Sequence, residues 1–233
     1  MTLPASGGHP EAGAGWRGRA AAAALRSAYG WIALYVAAIW LIEIVDTVAL
    51  GSRLEGDGIH PREVSGLPGI LWAPFLHAGW GHVLSNTVPL AVLGGLVALR
   101  GRARWAAVTV ITIVLGGALT WLLGGSGNHI GASGVVFGYF GALLGAALFE
   151  RRPAAIAPAL VALMLYYGLI VGLVPQAGIS WEGHLFGLTS GLASARLLID
   201  PGRRRPRRRG PHNDDDVDLS AFPPGFDFGA PSS

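Results

Sequence analysis

Apolar residues gather along this chain in six blocks, separated by polar or glycine- and proline-rich stretches. The blocks run at about 29–50, 82–99, 105–123, 133–149, 154–174 and 183–199. Each is long enough, or nearly so, to cross a hydrocarbon layer about 30 Å thick as a helix. The fourth and sixth are short by themselves and need an ordered loop or a locally thin bilayer to complete the crossing. The pattern predicts an all-α membrane protein, a bundle of six transmembrane helices over 28–199. Residues 1–27 read as a flexible tail rich in glycine and alanine, without the order of a signal peptide. Residues 200–233 read as a disordered tail, with an arginine block, then Asp214 to Asp216 and Asp218, then a Pro/Gly/Phe run.

Charge placement orients the blocks. All basic residues are arginines. Arg17, Arg19 and Arg26 precede the first block, Arg100, Arg102 and Arg104 join the second to the third, Arg151 and Arg152 join the fourth to the fifth, and six more follow the sixth. The alternate connections carry only Arg53 and Arg62. An excess of arginine marks the cytoplasmic side, so both termini are expected there. The 51–81 loop then lies outside, and its apolar stretch near 67–80 is expected to rest in the membrane interface. Composition agrees: of 233 residues 52% are hydrophobic and only 13% charged, too apolar for an ordinary water-soluble domain. No cysteine is present, which excludes disulfides, thiolate metal sites and a cysteine nucleophile.

With this orientation, blocks two, four and six all run inward, and each opens on a polar residue. His82 lies 18 residues before Arg100, Ser133 lies 18 before Arg151, and His184 lies 19 before Arg203. At about 1.5 Å per helical residue, all three sit roughly 27 Å above the inner charges, at one depth near the outer surface. Polar groups at membrane depth are costly and are rarely idle. Asn86, four residues after His82, shares its helix face. Small residues can bring the helices together: Gly134, Gly138, Gly141 and Gly145 on block four, and Gly183, Gly187, Gly191 and Ala195 on block six. Such spacing lets backbones approach closely in lipid. It is also common in membrane helices, and 36 glycines produce matches by chance.

The chemistry these residues allow is acyl transfer. A serine hydroxyl needs a base to take its proton, and His184 is the candidate base for Ser133. Glu182, two residues away, points off another side of the helix, so a dyad rather than a triad is expected. The Ser133 backbone N–H, free at a helix start, and the side chains of His82 and Asn86 are candidate donors to an oxyanion. Taken singly each has a plainer reading. A serine among glycines more often packs than reacts, His82 suits an interface, and Asn86 suits a helix–helix hydrogen bond. Ser126 is a rival nucleophile without an aligned base. His60, His77 and His129 are expected to be hydrated in outer loops. Glu43 and Asp46 are unusual in a first block this apolar; they are expected near the outer interface or facing the bundle, and no catalytic role is assigned to them.

The ordered set His77-x4-His82-x3-Asn86, Gly131-Ala132-Ser133-Gly134 and Gly183-His184-Leu185-Phe186-Gly187-Leu188-x2-Gly191-Leu192 resembles the rhomboid family of intramembrane serine proteases. The similarity extends over about 29–199, with the three motifs in family order. It implies Ser133 as nucleophile, His184 as base, and His82 and Asn86 in the oxyanion hole. It also implies a six-helix bundle with a membrane-embedded first loop, and a mobile fifth helix and cap as substrate gate. The implied partners are transmembrane protein substrates and the lipid bilayer, with no nucleic acid, cofactor or metal; the implied location is a bacterial plasma membrane. One departure is visible: the first loop reads Gly69-Ile70-Leu71-Trp72-Ala73-Pro74, without the Trp-Arg pair common in the family. A client-binding rhomboid-like protein without activity is the alternative. Such proteins usually lack the serine or the histidine, and this chain keeps both. A small transporter would show an internal repeat of broken helices, and none is evident.

Overall fold

The computed structural model describes residues 11–176 and 178–199; the expectations for 1–10 and 200–233 lie outside them. Six long helices follow one another: α1 (Glu11–Val45, prolonged by a π-turn over Asp46–Leu50), α2 (Trp80–Ala98), α3 (Arg102–Leu123, with a π-turn at Thr112–Gly116), α4 (Ser133–Glu150), α5 (Pro153–Tyr166, tightening to a 3₁₀ stretch over Tyr167–Leu173) and α6 (Trp181–Leu197). Five helical stretches, Tyr29–Leu50, Trp80–Ala98, Arg102–Leu123, Ser133–Glu150 and Pro153–Leu173, are long and apolar enough to cross a membrane; α6 has 17 residues. Helix α1 begins at Glu11, well inside the segment 1–27 expected as a flexible tail. The run Ala20–Ala24 explains this, since alanine has the highest helix propensity.

Helix α4 is the centre of the bundle. Its Val135, Val136, Tyr139, Phe140 and Leu143 are buried and meet Ile39 of α1, Leu90 and Leu93 of α2, and Val108 of α3. Thr109 and Tyr139 share a buried hydrogen bond of 2.8 Å, which satisfies two hydroxyls that lipid would leave stranded.

The most extensive helix pair is α4 with α6. A Cβ placed on Gly187 would lie 2.2 Å from the Gly134 carbonyl oxygen, and one on Gly191 would lie 2.0 Å from that of Gly138. One on Gly141 would lie 2.2 Å from the Leu188 carbonyl. Backbone therefore rests on backbone at these three glycines, a distance only glycine permits. Gly138 also faces Thr112 of α3, whose side chain would sit 2.3 Å from an added Cβ.

At the arginine-rich end, Arg100, Arg104 and Arg152 all converge on the buried carboxylate of Glu150. Arg104 also donates to the Leu198 carbonyl at 2.6 Å. This cluster ties α2, α3, α4 and the end of α6 together opposite the polar residues of the other end.

Replacing Gly191 by Ala should lower stability by about 1–3 kcal/mol through overpacking against backbone that cannot yield. Gly30, with nothing within 4 Å, is the control; Gly30→Ala should be neutral or slightly stabilising. Thermal unfolding in detergent measures both, and equal transitions for Gly191→Ala and wild type would contradict the close seam.

Candidate active site

The loop between α1 and α2 folds against the loop between α3 and α4. Ile59 and His129 exchange two backbone hydrogen bonds of 3.0 Å, and the Gly131 N–H donates to the Ala73 carbonyl at 2.9 Å. The approach is close enough that a Cβ on Gly58 would lie 2.7 Å from the His129 carbonyl oxygen. Arg62, held at a positive φ of 65°, donates to the Gly124 carbonyl at 2.8 Å, while the Trp121 indole donates to the Glu63 carbonyl at 2.8 Å. The sequence assigned Arg62 only to charge balance; it is instead a staple between loops, in a stretch that lacks the Trp-Arg pair. Together these bonds hold the strand-like segment that delivers Ser133 to the start of α4.

Ser133 Oγ lies 2.8 Å from Nε2 of His184. The α4–α6 seam produces this contact, because Ser133 and His184 open the two helices whose glycines touch. The other ring nitrogen, Nδ1, lies 2.8 Å from the Gly172 carbonyl oxygen. A carbonyl only accepts, so Nδ1 carries the proton. In a neutral imidazole Nε2 is then the bare acceptor, and the Ser133 hydroxyl donates to it. Phe137, one helical turn after Ser133, stacks on the imidazole with centroids 4.3 Å apart and an angle of 13°. Phe137 was not singled out from sequence, although its i+4 relation to Ser133 places it on that face.

His82 and Asn86 open toward the same space. His82 Nδ1 accepts from the Ala78 N–H at 3.2 Å, so its Nε2 bears the proton. That nitrogen sits beside Gly131, where an added Cβ would meet it at 2.7 Å and Ser133 Oγ at 3.7 Å. Asn86 Nδ2 donates one hydrogen to the His82 carbonyl at 2.9 Å and retains a second. All four polar residues line one cavity of about 1320 Å³. Ser126 lines it too, yet among the described residues no histidine bonds to it; His129 Nδ1 pairs with Ser180 Oγ at 2.5 Å instead. Glu182 turns away from His184 and accepts from the Gly125 N–H at 3.2 Å. Glu43 accepts from Thr47 at 3.2 Å and Asp46 caps the Leu54 N–H at 2.9 Å, so both buried carboxylates brace the end of α1.

Two histidines depart from expectation. His77 and His129, expected to be hydrated, are 2% and 8% exposed. The folded first loop covers both. His77 Nε2 accepts the Ala132 N–H at 3.2 Å and so supports the residue that precedes Ser133.

Comparison with known proteins follows the same lines. Residues 66–201 match the family model described as the Rhomboid domain. An uncharacterized protein of Mycobacterium tuberculosis is 43% identical over 183 residues, covering 74% of this chain and 76% of the relative. A second, from Mycobacterium leprae, is 40% identical over 183 residues, 74% of this chain and 72% of its own. A Bacillus subtilis protein provisionally named as a rhomboid protease, YdcA, is 28% identical over 133 residues, 56% of this chain and 66% of its own.

Burial pushes the His77 imidazole down to about 4, with the neighbouring His82 adding to the effect and the Phe75 backbone opposing it. The unfolded chain binds this proton near 6.5 and the folded protein does not. The stabilisation from neutral His77 is therefore complete above pH 6.5 and is lost as pH falls toward 4, by about 3 kcal/mol in full. His77→Gln keeps an acceptor for the Ala132 N–H but cannot titrate. Unfolding temperatures between pH 7 and 4.5 should fall more steeply for wild type than for the variant; parallel curves would contradict the assignment.

Proposed function

This chain belongs to the rhomboid family and is a multi-pass membrane protein, and on that premise we propose that it is an intramembrane serine endopeptidase working through a Ser133–His184 dyad. The observation that carries the reading is the 2.8 Å contact between the Ser133 hydroxyl and the unprotonated Nε2 of His184. The serine oxygen attacks the substrate carbonyl carbon while its proton passes to Nε2. The carbonyl oxygen becomes an oxyanion, and three donors face it: the His82 Nε2–H, the spare Asn86 Nδ2–H, and the Ser133 backbone N–H, which has no partner in the first turn of α4. His184 then returns the proton to the leaving amine. Water entering the cavity hydrolyses the acyl-serine by the reverse use of the same base.

The glycines Gly134, Gly138, Gly187 and Gly191 act in this account as the packing seam that sets the dyad distance. We also infer that all six helices cross the bilayer with both termini on the cytoplasmic side of a bacterial plasma membrane. The arginine cluster around Glu150 then faces inward and the cavity outward. Its substrates are transmembrane proteins cut near their outer ends.

Purified protein in liposomes should cleave a model single-span substrate. Ser133→Ala and His184→Ala should each lower the rate by at least about 10³-fold. Asn86→Ala should lower kcat by roughly 10²–10³-fold with the fold intact, as loss of an oxyanion donor does. Full activity of Ser133→Ala would remove the nucleophile assignment. Client binding without cleavage by the intact wild type would favour a role in holding membrane proteins.

A further inference from the structure

We propose that the backbone carbonyl of Gly172 is the positioning group of this site, the partner that a carboxylate supplies in a triad, and that the seating of the 3₁₀ end of α5 thereby decides whether His184 can act as a base. The inference rests on the dyad reading and extends it to a residue outside the motifs.

A base must present its bare nitrogen to the serine. A neutral imidazole has two tautomers, and the hydrogen bond made by the far nitrogen selects between them. Here the far nitrogen, Nδ1, has one partner, the Gly172 oxygen at 2.8 Å. Glu182 is engaged with Gly125, and Phe137 offers only its ring face. The Gly172 carbonyl thus holds the proton on Nδ1, leaves Nε2 free for Ser133, and stabilises the imidazolium that forms when Ser133 gives up its proton.

Glycine at residue 172 lets this contact form at its short length. A Cβ there would lie 3.1 Å from Nδ1 and 3.0 Å from Phe137 Cζ, so ring and segment would move apart by a few tenths of an ångström. The supporting segment is thinly held. The stretch Tyr167–Leu173 contains no buried residue, in contrast to α4, which is buried along most of its length. The orientation of the base therefore depends on a lightly packed segment on a different helix, and displacing that segment removes the acceptor from Nδ1.

Two variants test this without altering a side chain of the dyad. An ester in place of the amide between Gly172 and Leu173 makes the Gly172 carbonyl a weaker acceptor, and Gly172→Ala lengthens its contact with Nδ1 by a few tenths of an ångström. Controls are the ester between Leu173 and Val174, which deletes the Val174 N–H bond to Val171, and Gly168→Ala, where an added Cβ meets nothing within 4 Å. The readouts are the ¹⁵N and ¹³C shifts of His184, which report its tautomer, and kcat and KM on a model substrate. Wild type and controls should show the Nδ1–H tautomer. The two test variants should populate the Nε2–H form and lose about 10–100-fold in kcat at unchanged KM, the scale of one hydrogen bond to a charged group. An unchanged tautomer in both variants would overturn the proposal, whether or not the rate falls. The tautomer measurement needs no turnover, so it decides this point even if Ser133 proves not to be the nucleophile.

Discussion

The contact of α4 with α6, backbone against backbone, is the constraint on which the rest of the structure depends. Neither Ser133 nor His184 has any local reason to meet the other, since 51 residues of chain separate them. Gly134 on Gly187 and Gly138 on Gly191 remove the side-chain layer that would hold the helices apart. Because both polar residues stand at the same end of that seam, close packing and dyad formation are one event. Lipid offers no hydrophobic gain for bringing helices together. Small-residue packing and polar contacts have to do it, and this pair has both, in its glycine seam and in the Ser133–His184 hydrogen bond.

Polar groups at membrane depth have to be satisfied, and the site follows that rule in a particular way, with the buried Nδ1 of His77 as an exception that has no partner among the described residues. Each histidine has one ring nitrogen fixed by backbone: His184 by the Gly172 carbonyl, His82 by the Ala78 N–H, His77 by the Ala132 N–H and His129 by the Gly125 carbonyl at 3.1 Å. Fixing one nitrogen sets the tautomer and so defines what the other can do. For His184 the remaining nitrogen is an acceptor aimed at Ser133; for His82 it is a donor aimed at the cavity. A base and an oxyanion donor are made from the same side chain by opposite backbone partners. The folded first loop and the Arg62 staple hold the framework in which these partners sit.

Much of the architecture was legible in the sequence, because hydropathy and glycine spacing act locally and periodically. Apart from the start of α1, the helices begin and end within a few residues of the six apolar blocks, and counting residues to the arginines placed His82, Ser133 and His184 at one level, where the structure brings them to one cavity. What was not legible depends on tertiary contact. His77 and His129 looked exposed because a loop was expected to be wet, yet the loop pairs through Ile59 with His129 and covers both. Gly172 carries no chemical signal at all: its contribution is a carbonyl, which every residue has, and only the fold places it. Phe137 was within reach of an i+4 argument from Ser133. The extension of α1 to Glu11 follows from an alanine run that hydropathy alone did not mark as helix.

The most direct measurement is reaction of the detergent-solubilised protein with a fluorophosphonate, followed by mass spectrometric location of the adduct. An activated serine beside an unprotonated imidazole reacts, and an ordinary packing serine does not. The adduct is expected on Ser133 and should disappear when His184 is replaced by Ala. An adduct on Ser126 or Ser180, or one on Ser133 that survives loss of His184, would contradict it.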